Sequence, residues 1–202
     1  MSRGPLQPVN LYTPDQLNKL GNAIVYLCER IRPLYKTKLL KLIYMLDEFS
    51  VKLHGVPMFN LEYKVWQAGP VCDDIFVELS EKPVLLKDFI KLIPDERGTK
   101  IEALRSFSDD EFTPNDLALL DDVVARYANT PATELVKILH RHSTPWYRIA
   151  KEHGLLELFE QEKLTNTDFT IDLQELLTGN QLHTQLYTDN QEFLDMNRAL
   201  KS

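Results

Sequence analysis

The most regular pattern of apolar positions lies between residues 36 and 54. Apolar residues recur there at the spacing of one helical face, at Leu39, Leu42, Ile43, Leu46, Phe49 and Leu53. Leu40, Tyr44 and Val51 add apolar side chains to the other faces. A helix that is apolar on more than one face packs against neighbours on more than one side, so this pattern predicts a central helix at about residues 37–54.

The segment after the central helix predicts a strand and then a turn. Gly55 and Pro57 end the helix, because glycine readily adopts a positive φ and proline cannot continue the hydrogen-bond ladder. Residues 61–67 have the composition of a strand. Residues 69–71, Gly-Pro-Val, predict a turn into another helix with proline at its first position.

Two further segments complete the first half of the predicted fold. Residues 84–93 are largely apolar and predict a helix. Residues 99–107 alternate in part between apolar and polar and predict a strand, which would pair with residues 61–67 in a small antiparallel sheet. The predicted class is therefore mainly α with a small antiparallel β-sheet (α+β), a compact helical domain around the central helix.

Capping residues mark the starts of the other helices. Thr13 and Gln16 enclose a proline and form a capping box, followed by an apolar stripe. Three Thr-Pro pairs, at 113–114, 130–131 and 144–145, each precede a helical pattern. In each pair the threonine hydroxyl is expected to accept a hydrogen bond from a free amide of the first turn.

The chain divides into three predicted regions. Residues 1–12 form an extended N-terminal arm, residues 13–153 the domain, and residues 155–202 a C-terminal extension that is partly helical. Within the extension, helices are predicted at 173–177 and 191–200. Three behaviours of the extension remain open: it folds back on the domain, pairs with a second copy, or becomes ordered on binding a partner.

Composition and charge exclude several classes of protein. The chain of 202 residues has a formal net charge of -7, which opposes general nucleic-acid binding. No apolar run is long enough to span a membrane, and the first twelve residues lack the apolar segment of a secretory signal. We therefore expect a cytoplasmic protein that does not associate with membranes.

Lysines and cysteines each have two interpretations. Lys36, Lys38 and Lys41 form either the solvated edge of a helix or a phosphate clamp, and the solvated edge is the more usual arrangement. Cys28 and Cys72 are expected to be buried free thiols, with a disulfide between them as the alternative.

The residues that could carry chemistry lack the spacing of a catalytic or metal site. His140 and His142 are the nearest to a metal pair, but residues two apart on a helix do not share a face, and a hydrogen-bonded histidine at a helix end is the alternative. No glycine-rich phosphate loop or nucleophile elbow is present. We expect no enzyme activity, no cofactor and no metal.

Aromatic residues near the turn at 69–71 offer a different kind of site. Trp146 and Tyr44 are expected to pack in the core. Tyr63 and Trp66 have opposite parity in the predicted strand, so they face different sides of the sheet and one of them is expected to be exposed. An exposed aromatic side chain beside a rigid turn is a suitable anchor for a partner protein.

Several motifs in order resemble one known family. The runs LLKLIYMLDE, HGVPM and YKVWQAGPV, followed by residues 113–146 ending in Glu134-Leu135, His140 and Trp146, are similar to the Panacea domain of bacterial and phage antitoxins. The resemblance covers roughly residues 13–153. It implies a mostly helical domain without catalytic activity that binds a cognate protein toxin encoded next door and holds it inactive.

The resemblance leaves alternatives. Some members of the family act as adaptors that deliver a toxin to a Clp-type protease, and a homo-oligomer is also compatible with the sequence. A third hypothesis, from another class, is an enzyme or nucleic-acid-modifying protein that uses His140 and His142. The candidate partner-binding residues are Tyr63, Trp66, Gly69, Pro70, His140 and Trp146.

Overall fold

The computed structural model describes residues 12–199, which form eight α-helices, one 3-10 helix and two small antiparallel sheets. The helices are α1 Pro14–Arg30, α2 Lys36–His54, α3 Asp73–Glu78, α4 Pro114–Tyr127, α5 Ala132–Leu139, α6 Pro145–Glu152, α7 Leu155–Glu160 and α8 Gln181–Ala199, and the 3-10 helix is Leu173–Leu177. The strands are β1 Leu34–Tyr35, β2 Lys64–Trp66, β3 Gly69–Val71, β4 Ile90–Asp95 and β5 Gly98–Ala103. The predicted α+β class is confirmed. Residues 1–11 of the predicted arm, and Leu200 of the predicted last helix, lie outside the described range.

Helix α2 lies at the centre of the fold, as its apolar pattern predicts. Every residue from Leu39 to Glu48 is buried, because α4, α5, the 3-10 helix and strands β1, β3 and β5 all contact α2. Gly55 ends α2 in the left-handed conformation. Leu53 is the exception on the predicted apolar face, since 58% of it is exposed.

The predicted strand pairing is wrong. Strand β2 pairs with β3 across a two-residue connection, and β5 pairs with β4 on one side and β1 on the other. The pairs β2–β3 and β4–β5 are thus local hairpins, which cost less loop-closure entropy than joining residues 61–67 to 99–107, whereas β1 pairs with β5 over a long separation in sequence. The sequence 69–71 is accordingly a strand, and the following helix begins only at Asp73, after the cap residue Cys72.

The helix predicted at residues 84–93 is also wrong. The buried carboxylate of Glu78 accepts hydrogen bonds from the backbone N–H groups of Val84, Leu85 and Leu86, at 3.0, 2.9 and 3.0 Å. These amides are satisfied in a loop, so a helix is not needed to pair them. The chain then continues into strand β4, which starts at Ile90.

Two of the three Thr-Pro pairs act as predicted. Thr113 and Thr144 accept hydrogen bonds from Asp116 N and Tyr147 N at the starts of α4 and α6. Thr130 does not cap α5, whose N-cap is Pro131; its hydroxyl instead donates to Arg126 O at 3.4 Å. The capping box of Thr13 and Gln16 is confirmed, and so is the expectation of two buried free cysteines.

The C-terminal extension folds back on the domain. Buried residues of the extension belong to the same hydrophobic core as α2, and they are Leu155, Phe159, Ile171, Leu173 and Leu177. Helix α7 was not predicted, and α8 begins ten residues before the predicted start at 191.

Candidate functional site

The hairpin of β2 and β3 packs directly on the central helix. Trp66 pairs with Gly69, and Val65 with Pro70. Gly69 has φ +96°, a conformation that favours glycine. All three residues of β3 are buried, so this strand is part of the interior and its backbone contacts side chains of α2.

Lys41 of α2 lies beneath this hairpin with only 1% of its surface exposed. Its Nζ donates a hydrogen bond to the carbonyl oxygen of Pro70 at 2.9 Å. Burial disfavours the charged ammonium and lowers the pKa of Lys41 from 10.5 to about 7. One hydrogen bond from a buried lysine thus joins the central helix to the hairpin.

His140 approaches the same hairpin from the end of α5. Its ring stacks on Trp146, with centroids 3.6 Å apart and an angle of 6° between the ring planes. Its Nε2 is buried and has no hydrogen-bond partner among the described residues. Burial, and then the positive charge of Lys41, lower the pKa of His140 to about 4, so the ring is neutral at pH 7.

Gly69 is the point where these groups meet. A Cβ atom added to it would lie 3.3 Å from Lys41 Nζ and 3.6 Å from His140 Nε2. The ammonium and the imidazole therefore face one side of the Gly69 backbone at close range, and glycine leaves room for both. We call Lys41, Gly69, Pro70, His140 and Trp146 the Gly69 cluster.

Trp146 fixes the other side of the hairpin. Thr144 caps α6 and thereby places Trp146 in the first helical turn. The indole Nε1 donates to the carbonyl oxygen of Trp66 at 2.8 Å, and the indole ring stacks on Phe159 of α7 with centroids 5.9 Å apart. Trp146 is only 3% exposed, so its contacts with the hairpin lie inside the core.

A segment of the C-terminal extension runs antiparallel along β2. The N–H of Val65 donates to Phe169 O at 2.9 Å, and the N–H of Ile171 donates to Tyr63 O at 2.8 Å. Near the turn, the side-chain amide of Gln67 donates to Phe159 O at 2.7 Å. The edge of the hairpin is thus paired with residues about a hundred positions later in the chain.

Tyr63 belongs to a second buried polar group. Its hydroxyl donates to Asp47 Oδ2 at 2.9 Å, and the N–H of Phe59 donates to Asp47 Oδ1 at 2.7 Å. Burial raises the pKa of Asp47 to about 6, although these hydrogen bonds favour its ionised form. Asp47 therefore ties the loop before β2 to the central helix.

The structure brings together five of the six candidate residues. Trp66, Gly69, Pro70, His140 and Trp146 meet around the hairpin, whereas Tyr63 packs against Asp47. The prediction that one of Tyr63 and Trp66 is exposed, made from their opposite parity in the strand, holds only in part. Tyr63 is 1% exposed. Trp66 is partly exposed, and its ring lies against Phe76 with the ring centroids 4.9 Å apart.

Lys41 and Asp47 are the residues that the sequence analysis missed. The interpretation of Lys41 as part of a solvated edge is wrong, because α2 is covered on the side where Lys41 lies. The available signal was its position between Leu40 and Leu42 in a helix that is apolar on several faces. A charged residue in such a helix is buried more often than in an amphipathic one.

The two histidines considered as a metal pair point to different aromatic rings. His140 stacks on Trp146, and His142 stacks on Tyr147 with centroids 4.2 Å apart. Over residues 12–199, no three His, Cys, Asp or Glu side chains are grouped so that they could hold a metal ion. In the same range, no helix has the length and apolar content needed to cross a membrane.

The family model described as "Antitoxin SocA-like, Panacea domain" matches residues 39–147. The match includes nearly all of the central helix, the hairpin and all the residues of the Gly69 cluster. No curated protein and no solved structure gives a match. Since the matched range is more than half of the chain, the protein belongs to the SocA-like antitoxin family with the Panacea domain, and its role is related to toxin–antitoxin systems.

Proposed function

We propose that the protein is an antitoxin that binds a cognate protein toxin directly, in the cytoplasm, and holds it inactive. The toxin would be the product of the neighbouring gene. The observation that carries this proposal is the family match over residues 39–147, which contains most of the central helix and the whole hairpin of β2 and β3. In a protein of this kind the effect on the toxin comes from binding and needs no catalytic group.

The charge of the chain supports a basic toxin as the partner. The formal net charge is -7, and complementary potentials speed the encounter of two proteins and disfavour wrong partners. Binding should therefore be faster at low ionic strength than at high ionic strength.

Within this proposal, the residues of the Gly69 cluster position the hairpin, and Trp66 contacts the toxin. Trp146 and Pro70 are buried, so they act by holding the hairpin against α2 and α6. Trp66 lies at the end of β2 beside the exposed turn residue Ala68 and is itself partly exposed. Aromatic side chains in such positions are frequent anchors of protein interfaces.

Co-expression with the neighbouring gene product tests the proposal. We expect the toxin to stop growth when expressed alone, and growth to recover when this protein is present. The two chains should co-elute as a stoichiometric complex. Absence of both rescue and co-elution would contradict the proposal.

A strain that lacks the Clp-type protease separates direct inhibition from the adaptor alternative. Direct inhibition predicts that rescue and the complex persist in this strain, because sequestration requires no degradation. Rescue that disappears together with the protease, while the toxin level rises, would replace the proposal with the adaptor function. Light scattering on the eluted complex gives the number of copies of each chain.

A further inference from the structure

Helix α8 is attached to the domain through one face. The side-chain amide of Asn190 donates to Asn60 Oδ1 at 2.6 Å. The backbone of His183 lies so close to Gly55 that a Cβ on Gly55 would be 2.9 Å from the Cα of His183. Tyr187, between these positions, is partly buried against the core. These contacts fix the rotation of α8 about its axis.

A neighbouring face of α8, about 100° around the helix axis from these contacts, carries an exposed apolar row. Leu182, Leu186, Phe193 and Met196 are 68, 41, 58 and 60% exposed. With Asp189 between them, these positions are spaced 4, 3, 4 and 3 residues apart, the spacing of a helical contact seam. We call these five residues the α8 stripe. Large apolar side chains that share an exposed face mark an interaction surface.

Asp189 argues against a second copy of this chain as the occupant. It lies at the centre of the stripe, three and four residues from its nearest apolar neighbours and seven from each end. Consequently, when the stripe is superposed on the stripe of a second copy, either parallel or antiparallel, Asp189 faces Asp189. Two carboxylates opposed in an apolar seam repel each other and lose hydration, which is costly.

The charges around the stripe indicate the chemistry of the partner. Asp189, Glu192 and Asp195 lie on this helix, and residues 181–197 include no lysine or arginine. The carboxylate of Asp189 accepts a hydrogen bond from the side-chain amide of Gln185 at 2.7 Å, which orients it at the surface. A lysine or arginine from a partner can then pair with Asp189 within the apolar contact.

We propose that the α8 stripe is a docking surface for the toxin. The stripe binds in an apolar groove of the toxin, and this groove carries a basic residue opposite Asp189. This inference rests on the proposed function, because it takes the toxin as the partner. It adds the surface and its chemistry: four apolar anchors and one central ion pair, arranged as an amphipathic helix in a groove. The stripe lies outside the family match at residues 39–147.

Binding of full-length variants to the immobilised product of the neighbouring gene tests the inference. The double variant Leu182→Ser with Phe193→Ser should weaken Kd about 30-fold or more, because two anchors are lost. Asp189→Lys should weaken Kd about tenfold or more, because it places like charges in contact. The matched control, Val84→Ser with Leu104→Ser, changes residues that are 61 and 51% exposed on another part of the surface, and it should bind like the wild type.

The outcomes separate this inference from the proposed function. If the wild type binds and the stripe variants bind equally well, the inference is overturned and the proposed function stands. If the wild type does not bind, the proposed function fails and the assignment of the toxin to the stripe fails with it. If the wild type is a dimer that the double variant converts to a monomer, the occupant is a second copy and the inference is overturned. Asp189→Lys removes no core group, so it keeps the test valid if the double variant unfolds.

Discussion

At the level of single residues, the protein places two titratable groups against one glycine. Lys41 is buried with one hydrogen bond to Pro70 O, and His140 has a buried ring nitrogen without a partner among the described residues. Buried polar groups of this kind reduce stability unless they are paired. Their close approach to Gly69 therefore links the ionisation of Lys41 and His140 to the packing of the hairpin.

The first prediction concerns the ionisation of Lys41. Its folded pKa of about 7 lies below the ordinary 10.5, so between these values the unfolded chain binds a proton that the folded chain does not. The free energy of unfolding should therefore rise as pH increases through 7, and Lys41→Met should remove about 2 kcal/mol of that rise between pH 6.5 and 9. Urea unfolding at both pH values measures it.

Lys82→Met is the control for this experiment, because Lys82 is exposed. It should leave the pH dependence unchanged. A pH dependence of Lys41→Met that matches the wild type would show that Lys41 stays protonated in the fold.

The second prediction concerns Gly69. Gly69→Ala places a methyl group against Lys41 and His140 at a φ of +96°, and it should lower the free energy of unfolding by about 2–3 kcal/mol. Gly98 also has a positive φ, +122°, but its Cβ would meet nothing within 4 Å. Gly98→Ala should cost less, about 1–2 kcal/mol, because only the backbone strain remains. Equal losses in denaturant unfolding would mean that backbone conformation alone, and not the cluster, requires Gly69.

At the level of elements, the Thr-Pro pairs show how similar sequences take different local roles. Thr144 accepts from Tyr147 N at 3.2 Å and donates to Leu139 O at 2.7 Å, so it joins the end of α5 to the start of α6. Thr130 makes neither contact, because α5 starts after Pro131. The position of Trp146 on the hairpin therefore depends on Thr144.

The third prediction compares the two threonines. Thr144→Ala should destabilise the protein by about 1–2 kcal/mol, because it removes a helix cap and a hydrogen bond between helices. Thr130→Ala should change stability by less than about 0.5 kcal/mol, as expected for a surface position. Thermal unfolding followed by circular dichroism measures both. A larger loss for Thr130→Ala than for Thr144→Ala would be incompatible with the observed caps.

The elements that the sequence predicted are those with a local signal. The central helix follows from apolar spacing, and the starts of α1, α4 and α6 follow from threonine caps. The pairing of β2 with β3 could not be predicted in preference to pairing with a distant strand. A short apolar run does not indicate which strand it pairs with, or in which register. Burial of Lys41 depends on the hairpin that covers it, and the loop at 84–86 depends on Glu78, so neither is encoded locally.

At the level of the whole molecule, the extension completes the core of the domain. Phe159 stacks on Trp146, Ile171 pairs with Tyr63, and Leu173 and Leu177 are buried beside α2. The family match ends at residue 147, so the matched region shares its hydrophobic core with residues that lie beyond it.

The fourth prediction concerns truncation. A chain that ends at Gly154 loses five buried apolar side chains, each worth about 2–5 kcal/mol, and should lose cooperative thermal unfolding. A chain that ends at Gly179 lacks only α8 and keeps those five residues, so it should still unfold cooperatively. If the shorter chain melts as cooperatively as the longer one, the extension is a separate unit.

The pairing of β2 with residues 165–171 also has a consequence for synthesis of the chain. The hairpin leaves the ribosome about a hundred residues before the segment that covers its edge, a delay on the order of ten seconds. During that time the nascent domain exposes the unpaired backbone groups of β2. The edge of the hairpin is therefore covered only after residues 165–171 have been synthesised.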